Sequence, residues 1–85
     1  MSKERVLDVR GLEPPEPLEM ALDAIEVLQP GERLRMIHSR EPCLLYPLLA
    51  QRGFNHLAEA AAEDHYEILI WRRGDAEAAP YGLTQ

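Results

Sequence analysis

Two short segments of the chain hold charged and titratable residues at a spacing that could support binding chemistry. The first is RGLEPPEP, residues 10–17, and the second is HSREP, residues 38–42. Each places an arginine ahead of a Glu-Pro pair, and each follows a segment with the apolar pattern of a β-strand. The candidate ligand or partner site drawn from them comprises Arg10, Glu13, Pro14, Glu16, His38, Arg40 and Glu41.

One ligand that suits these residues is a small anion. Arg10, Arg40 and the N-terminus of the following helix could bind it, because guanidinium groups and free backbone N–H groups both bind anions. The alternative interpretation is structural: each arginine pairs with a neighbouring glutamate, and His38 closes the edge of the core with one ring nitrogen hydrogen-bonded. The residue types alone leave both interpretations open.

A metal ion is a weaker hypothesis. His38 could hold one together with Glu13 or Glu41. A single histidine with scattered carboxylates lacks the convergent spacing of a strong site, and His56 and His65 are expected on a C-terminal hairpin, away from the cluster. We therefore predict no metal ligand and no cofactor.

Catalytic chemistry finds little support in the sequence. Cys43 is the only cysteine, which excludes an internal disulfide. It precedes a predicted helix, where a thiol pKa can be lowered, but a buried structural cysteine is the commoner role. His38 beside Glu41 could transfer a proton, but nothing in the sequence indicates a substrate. No glycine-rich phosphate loop and no Ser-His-Asp arrangement occurs, so we predict that the chain is not an enzyme.

Composition narrows the range of partners. The chain has 85 residues and a net charge of -6, with one lysine and scattered arginines. This charge argues against nucleic acid and against anionic membranes, which need clustered cations. The N-terminus lacks the apolar run of a signal peptide, and no apolar run reaches the ~20 residues of a spanning helix. We expect a single cytoplasmic domain.

The hydrophobic pattern predicts the order βαβαββ. The predicted elements are a strand over residues 5–9, a helix from Glu16 that ends at a turn over 29–32, a strand over 33–38, a helix within 43–53, and strands over 55–61 and 66–72. Pro47 requires the second helix either to begin close to it or to kink there. Right-handed crossovers place both helices on one face, which gives an α+β two-layer sandwich with a mixed four-stranded sheet.

The other face of the predicted sheet carries one large aromatic side chain. It would show Val6, Arg33, Arg35, Leu69 and Trp71. One interpretation is an ordinary open face. The other is a partner or dimer surface anchored by Trp71, with Arg35 and Leu69 as the other candidate interface residues. The predicted domain spans residues 1–73, and residues 74–85 are predicted to form a flexible tail.

The segment LDVRGLEPPEPL, followed by a helix, QPGERLRMI, a second helix and a hairpin, resembles the TusA/SirA-like superfamily over roughly residues 6–72. The resemblance implies a small two-layer α/β fold. It also implies a persulfide-bearing cysteine in a Cys-Pro-x-Pro motif at the start of the first helix in the sulfur-carrier branch. Here Pro14 stands in place of that cysteine and cannot carry sulfur. The chain is therefore more similar to the cysteine-less SirA-like branch, which has no established function.

Our functional prediction is a small non-enzymatic binding or interaction module. It acts through the loop at the start of the first helix, residues 10–17, together with the loop at 38–42. The expected partner is another protein or a small anionic ligand, and a second copy of the chain, giving a homodimer, is a further candidate. The alternative is a sulfur-transfer or redox-related carrier of the TusA type that uses Cys43.

Overall fold

The computed structural model describes residues 3–80 and confirms the predicted α+β architecture. The elements are β1 (Lys3–Asp8), α1 (Glu16–Glu26), β2 (Glu32–His38), α2 (Leu45–Gln51), β3 (Phe54–Ala62) and β4 (His65–Arg72). The strands form one mixed sheet in the order β1-β2-β4-β3. β1 lies parallel to β2, and β4 is antiparallel to both β2 and β3. The parallel pair brings the ends of β1 and β2 to the same edge of the sheet.

Prolines precede the first helix and occupy its first turn. α1 starts at Glu16 with Pro17 buried in its first turn, where a missing N–H breaks no helical hydrogen bond. Two acidic residues in that turn, Glu16 and Glu19, complement the positive end of the helix dipole. The Pro14–Pro15 peptide bond that precedes the helix is cis. The chain therefore enters α1 through a run of three prolines, which we call the proline elbow (residues 14–17).

The second helix begins close to Pro47. α2 begins at Leu45, so Pro47 is its third residue and lies in the first turn. This confirms the alternative in which the helix begins close to the proline. Gly53 follows α2 with φ of +82°, a left-handed conformation that side-chain-bearing residues rarely adopt, and it ends the helix as expected.

The core lies between the two helices and one face of the sheet. The register pairs Leu34 with Ile70 and Met36 with Ile68, and these side chains are at most 2% exposed. The helices cover them with fully buried side chains at Ala21, Ile25, Leu45 and Leu49. The alternation predicted for β2 and β4 is therefore confirmed.

The opposite face of the sheet is covered by the chain itself. Trp71 is only 4% exposed because Ala78 and Ala79 pack against it, together with Leu69. Asp75 ties this segment down, since its Oδ2 accepts a hydrogen bond from the Gly31 N–H at 2.8 Å. We call residues 75–80 the C-terminal strap.

The strap corrects the expectation that Trp71 is exposed. Small alanine side chains allow the strap to lie close to the indole ring, and the Asp75 hydrogen bond anchors its start. The flexible tail was predicted from residue 74, whereas the structure places 75–80 on the sheet; the rest of the predicted tail, residues 81–85, lies outside the described residues. The Trp71 indole N–H is buried and has no hydrogen-bond partner within residues 3–80.

The rest of this face carries a network of ion pairs. Glu4 accepts from Arg33 at 2.9 Å and from Arg35 at 2.6 Å, and Arg35 also bonds to Glu67. The arginine hydrogen bonds lower the pKa of Glu4. Of the three candidate interface residues, Trp71 and Leu69 are thus buried under the strap, and Arg35 is engaged within the chain. Among the described residues, no helix is long and apolar enough to cross a bilayer.

Candidate functional site

A groove of about 360 Å³ opens between the proline elbow and the loop that joins β2 to α2. Both segments lie at the edge of the sheet where parallel strands β1 and β2 end, the position at which open α/β sheets place ligands. We call it the elbow groove. It is lined by Pro14, Pro15, Pro17 and Leu18 on the elbow side, and by His38, Arg40, Glu41, Pro42, Cys43, Leu44 and Leu45 on the loop side.

Four of the predicted site residues meet in the elbow groove, namely Pro14, His38, Arg40 and Glu41. Glu13 and Glu16 are exposed and do not line it. Arg10 is also outside the lining, because its guanidinium donates to both carboxylate oxygens of Asp8 at 3.0 and 2.8 Å. This pair lowers the pKa of Asp8 to about 2. Arg10 therefore follows the structural interpretation, whereas Arg40 does not.

His38 is the polar side chain closest to the core. It ends β2 and is 8% exposed. Its Nδ1 accepts a hydrogen bond from the backbone N–H of Arg40 at 3.3 Å, so the neutral ring carries its hydrogen on Nε2. Burial, followed by the nearby charge of Arg40, lowers the pKa of His38. The groove is thus lined by a neutral imidazole that can donate from Nε2.

Within residues 3–80, the Arg40 side chain has no hydrogen-bond or ion-pair partner, unlike those of Arg5 and Arg10. Arg5 pairs with Glu32, and Arg10 pairs with Asp8. Arg40 is exposed at the groove and close enough to His38 to lower its pKa. A free cation beside an apolar surface is a ready partner for a ligand anion.

Glu41 is held by an aromatic pair that the sequence did not reveal. Its carboxylate accepts a hydrogen bond from the Tyr46 hydroxyl at 3.1 Å, and Tyr46 stacks on His56 with ring centroids 3.9 Å apart. Burial, with the Glu41 hydrogen bond, raises the pKa of Tyr46, and burial lowers the pKa of His56. The prediction that His56 lies away from the cluster is wrong. The two rings join β3 to α2, and Tyr46 also contacts Glu41 of the groove.

Cys43 has an exposed thiol that lines the elbow groove. It faces the same space as Pro14. Its exposure disagrees with the commoner role of a buried structural cysteine. Leu44 beside it is 82% exposed, which is unusual for a leucine and leaves an apolar side chain at the rim. Neither feature has a local signal in the sequence, since both depend on how α2 starts.

The histidines and carboxylates of the described chain do not converge into a metal site. No group of three or more His, Cys, Asp or Glu residues within 3–80 could hold a metal ion. His65 lies beside Asp64 at 3.2 Å in the β3–β4 turn, apart from the groove. Besides the Glu41 carboxylate and the Cys43 thiol, the elbow groove offers one guanidinium, one imidazole donor and apolar walls.

Stability is expected to fall as pH drops from about 7.5 to 5.5. His38 and His56 both have pKa values below the ordinary 6.5 in the folded chain. The unfolded chain thus binds more protons in this window, and the free energy of unfolding decreases as pH falls below 6.5. Paired carboxylates such as Asp8, whose pKa is lowered, change the free energy of unfolding only at lower pH. Urea unfolding across this range should show a flatter pH profile in a variant carrying His38→Gln and His56→Gln; an unchanged profile would contradict the assignment.

Comparison with known proteins identifies the family of this chain but assigns it no function. A family model described as an uncharacterized conserved protein, DUF2249, matches residues 6–72. The match begins in β1 and ends at the last residue of β4, so it includes both walls of the elbow groove. No curated protein matches the chain, and no solved structure matches it. The chain belongs to the uncharacterised family DUF2249.

Proposed function

We propose that this protein is a small non-enzymatic binding module whose elbow groove takes a ligand with an apolar body and an anionic group. The observation that carries the proposal is the unpaired guanidinium of Arg40 beside an apolar groove. The chain as a whole has a net charge of -6. Anion recognition at this point is local and does not reflect a general positive field.

The walls of the groove supply the apolar part of the recognition. Prolines and leucines make up most of the lining, including Pro14, Pro17, Leu18 and Leu45. Proline side chains are rigid, so a ligand that packs against them costs little side-chain entropy. A mostly apolar cleft with few convergent polar groups is the usual form of a small-molecule site. This favours an amphiphilic ligand over a bare inorganic anion.

The single cysteine provides a reporter for this proposal. A small trifluoromethyl thiol reagent attached to Cys43 places a fluorine probe in the groove without a second labelling site. A panel of fragments can then be sorted into apolar anions, apolar neutral molecules, apolar cations and bare anions. We expect fluorine shifts that saturate at micromolar to millimolar concentration for the apolar anions, and weaker or no effects for the others.

A pair of variants separates groove binding from surface adsorption. Leu18→Trp fills the groove, whereas Leu22→Trp places the same side chain one turn along α1, outside the lining. Binding should disappear in the first variant and persist in the second. The proposal fails if no apolar anion binds, or if both variants bind equally well.

A second candidate function is a sulfur carrier that uses Cys43, supported by the exposure of this thiol opposite Pro14. The Cys43 thiolate would attack the outer sulfur of a donor persulfide, R–S–SH, forming Cys43–S–SH and releasing R–S⁻. A gain of one sulfur atom in the intact mass after incubation with such a donor, absent in Cys43→Ser, tests it. The element order and the LDVRGL segment support a wider relationship to the TusA/SirA-like superfamily.

A further inference from the structure

We propose that the anionic group recognised in the elbow groove is a single carboxylate, carried by a small apolar acid. This inference rests on the proposed function and specifies its ligand class. Three features support it: the charges around the groove, the hydrogen-bond donors of Arg40 and His38, and the volume of the groove.

The charges around the groove match a ligand with one negative charge. Arg40 is the only Lys or Arg in the lining, and its guanidinium is unpaired within residues 3–80. Glu41 also lines the groove, and its carboxylate is held in place by the Tyr46 hydroxyl. A ligand with two negative charges would meet one cation and one fixed carboxylate, which leaves a charge uncompensated. A monoanion can pair with Arg40 and brings no second negative charge near Glu41.

The donors available suit a carboxylate. The guanidinium of Arg40 presents paired N–H groups that match the two oxygens of a carboxylate. His38 lines the same groove, and because its Nδ1 accepts from the Arg40 backbone, its Nε2–H remains the donor of the neutral ring. A carboxylate that accepts from both residues would engage the His38 Nε2–H, for which no partner occurs within residues 3–80.

The size of the groove favours a small acid. Its volume of about 360 Å³ is near the lower end of small-molecule sites, which span roughly 300–1,000 Å³. An aliphatic chain from the carboxylate would extend along the prolines of the elbow and Leu18. Each methylene removed from water should improve the affinity about fourfold, until the chain extends beyond the groove.

Titration calorimetry on the full chain tests the inference with hexanoate as the probe. Hexyl phosphate, hexanol, hexylammonium and acetate serve as matched ligands that change the charge or remove the apolar body. We expect hexanoate to bind most tightly, and acetate to bind far more weakly. Arg40→Gln should weaken hexanoate binding about tenfold or more. Arg73→Gln is the control, since Arg73 is an exposed arginine outside the groove without a side-chain partner among residues 3–80.

The outcomes distinguish this inference from the proposed function. If hexyl phosphate binds more tightly than hexanoate, and its binding depends on Arg40, the carboxylate assignment is overturned while the binding function stands. If hexanol binds as well as hexanoate, or Arg40→Gln has no effect, the assignment is also overturned. If none of the hexyl compounds binds, both the inference and the proposed function fail. Equal loss in Arg40→Gln and Arg73→Gln would indicate a general charge effect and would overturn the assignment.

Discussion

Truncation of the chain after Gly74 is expected to lower the free energy of unfolding by about 2 kcal/mol and to shift tryptophan emission to longer wavelength. The truncation removes the C-terminal strap and uncovers Leu69 and Trp71, which are now 7% and 4% exposed. Exposing large apolar side chains costs about 1.5–3 kcal/mol each when complete. Hydration of the indole N–H, which has no partner within residues 3–80, offsets part of this cost. Chemical unfolding followed by fluorescence measures both effects, because Trp71 is the only tryptophan.

A second truncation after Pro80 is the matched control. It removes residues 81–85 and leaves the strap, so it should keep the emission wavelength and most of the stability of the full chain. Asp75→Ala should give an intermediate result, because it removes the carboxylate that accepts from Gly31 and from the Ala78 N–H. Identical emission from the two truncated chains would show that the strap does not cover Trp71 in solution.

Attachment of a bulky maleimide to Cys43 is expected to weaken hexanoate binding about 30-fold or more, the equivalent of losing roughly 2 kcal/mol of apolar contact. The thiol is exposed, it lines the elbow groove, and the chain has no second cysteine for the reagent to modify. A large adduct at this position occupies the space between the elbow and the loop. Titration calorimetry before and after labelling gives the ratio of the two affinities.

The size of the adduct is the variable that makes this result specific. A methylthio group on the same sulfur adds little volume, so the labelled protein should bind hexanoate within a few-fold of the unmodified chain. Far-ultraviolet circular dichroism should be the same for both adducts. Equal binding by the bulky and the small adduct would mean that the ligand lies elsewhere on the molecule.

The fold was predictable because its determinants are local. Helical spacing from Leu18 to Leu28, and the short apolar run at residues 68–71 of β4, can both be read from neighbouring residues. The geometry of proline limits the second helix to two arrangements, an early start near Pro47 or a kink there. The structure shows the early start. The strand at Phe54–Ala62 was predicted against its helix propensity, because it lies between a helix-ending glycine and a strand.

The site was predictable only in part. β1 and β2 are parallel, so the segments that follow them lie at the same end of the sheet. The predicted topology therefore implies that Pro14 lies near His38 and Arg40, as the structure shows. Arg10 was predicted to bind an anion, but in the structure it pairs with Asp8, two residues earlier in the chain. The sequence does not show which of several nearby carboxylates an arginine will pair with.

Long-range packing accounts for what the sequence did not show. The stacking of Tyr46 on His56 joins residues from different elements, and no periodicity predicts such a pair. Alanine-rich segments such as residues 76–79 are typical of mobile tails, and only the complementary shape of the Trp71 face reveals that the strap has a place to pack.

Chemical-shift mapping of hexanoate on ¹⁵N-labelled full-length protein tests most directly whether the elbow groove is a binding site. The prolines of the groove have no amide hydrogen, so the reporting amides include those of Leu18, Arg40, Cys43 and Leu44. We predict saturable shifts at these residues and at His38, and little change in residues 75–80. Shifts that concentrate on the strap and the Trp71 face, or no saturable shift in residues 16–18 and 38–45, would contradict the account.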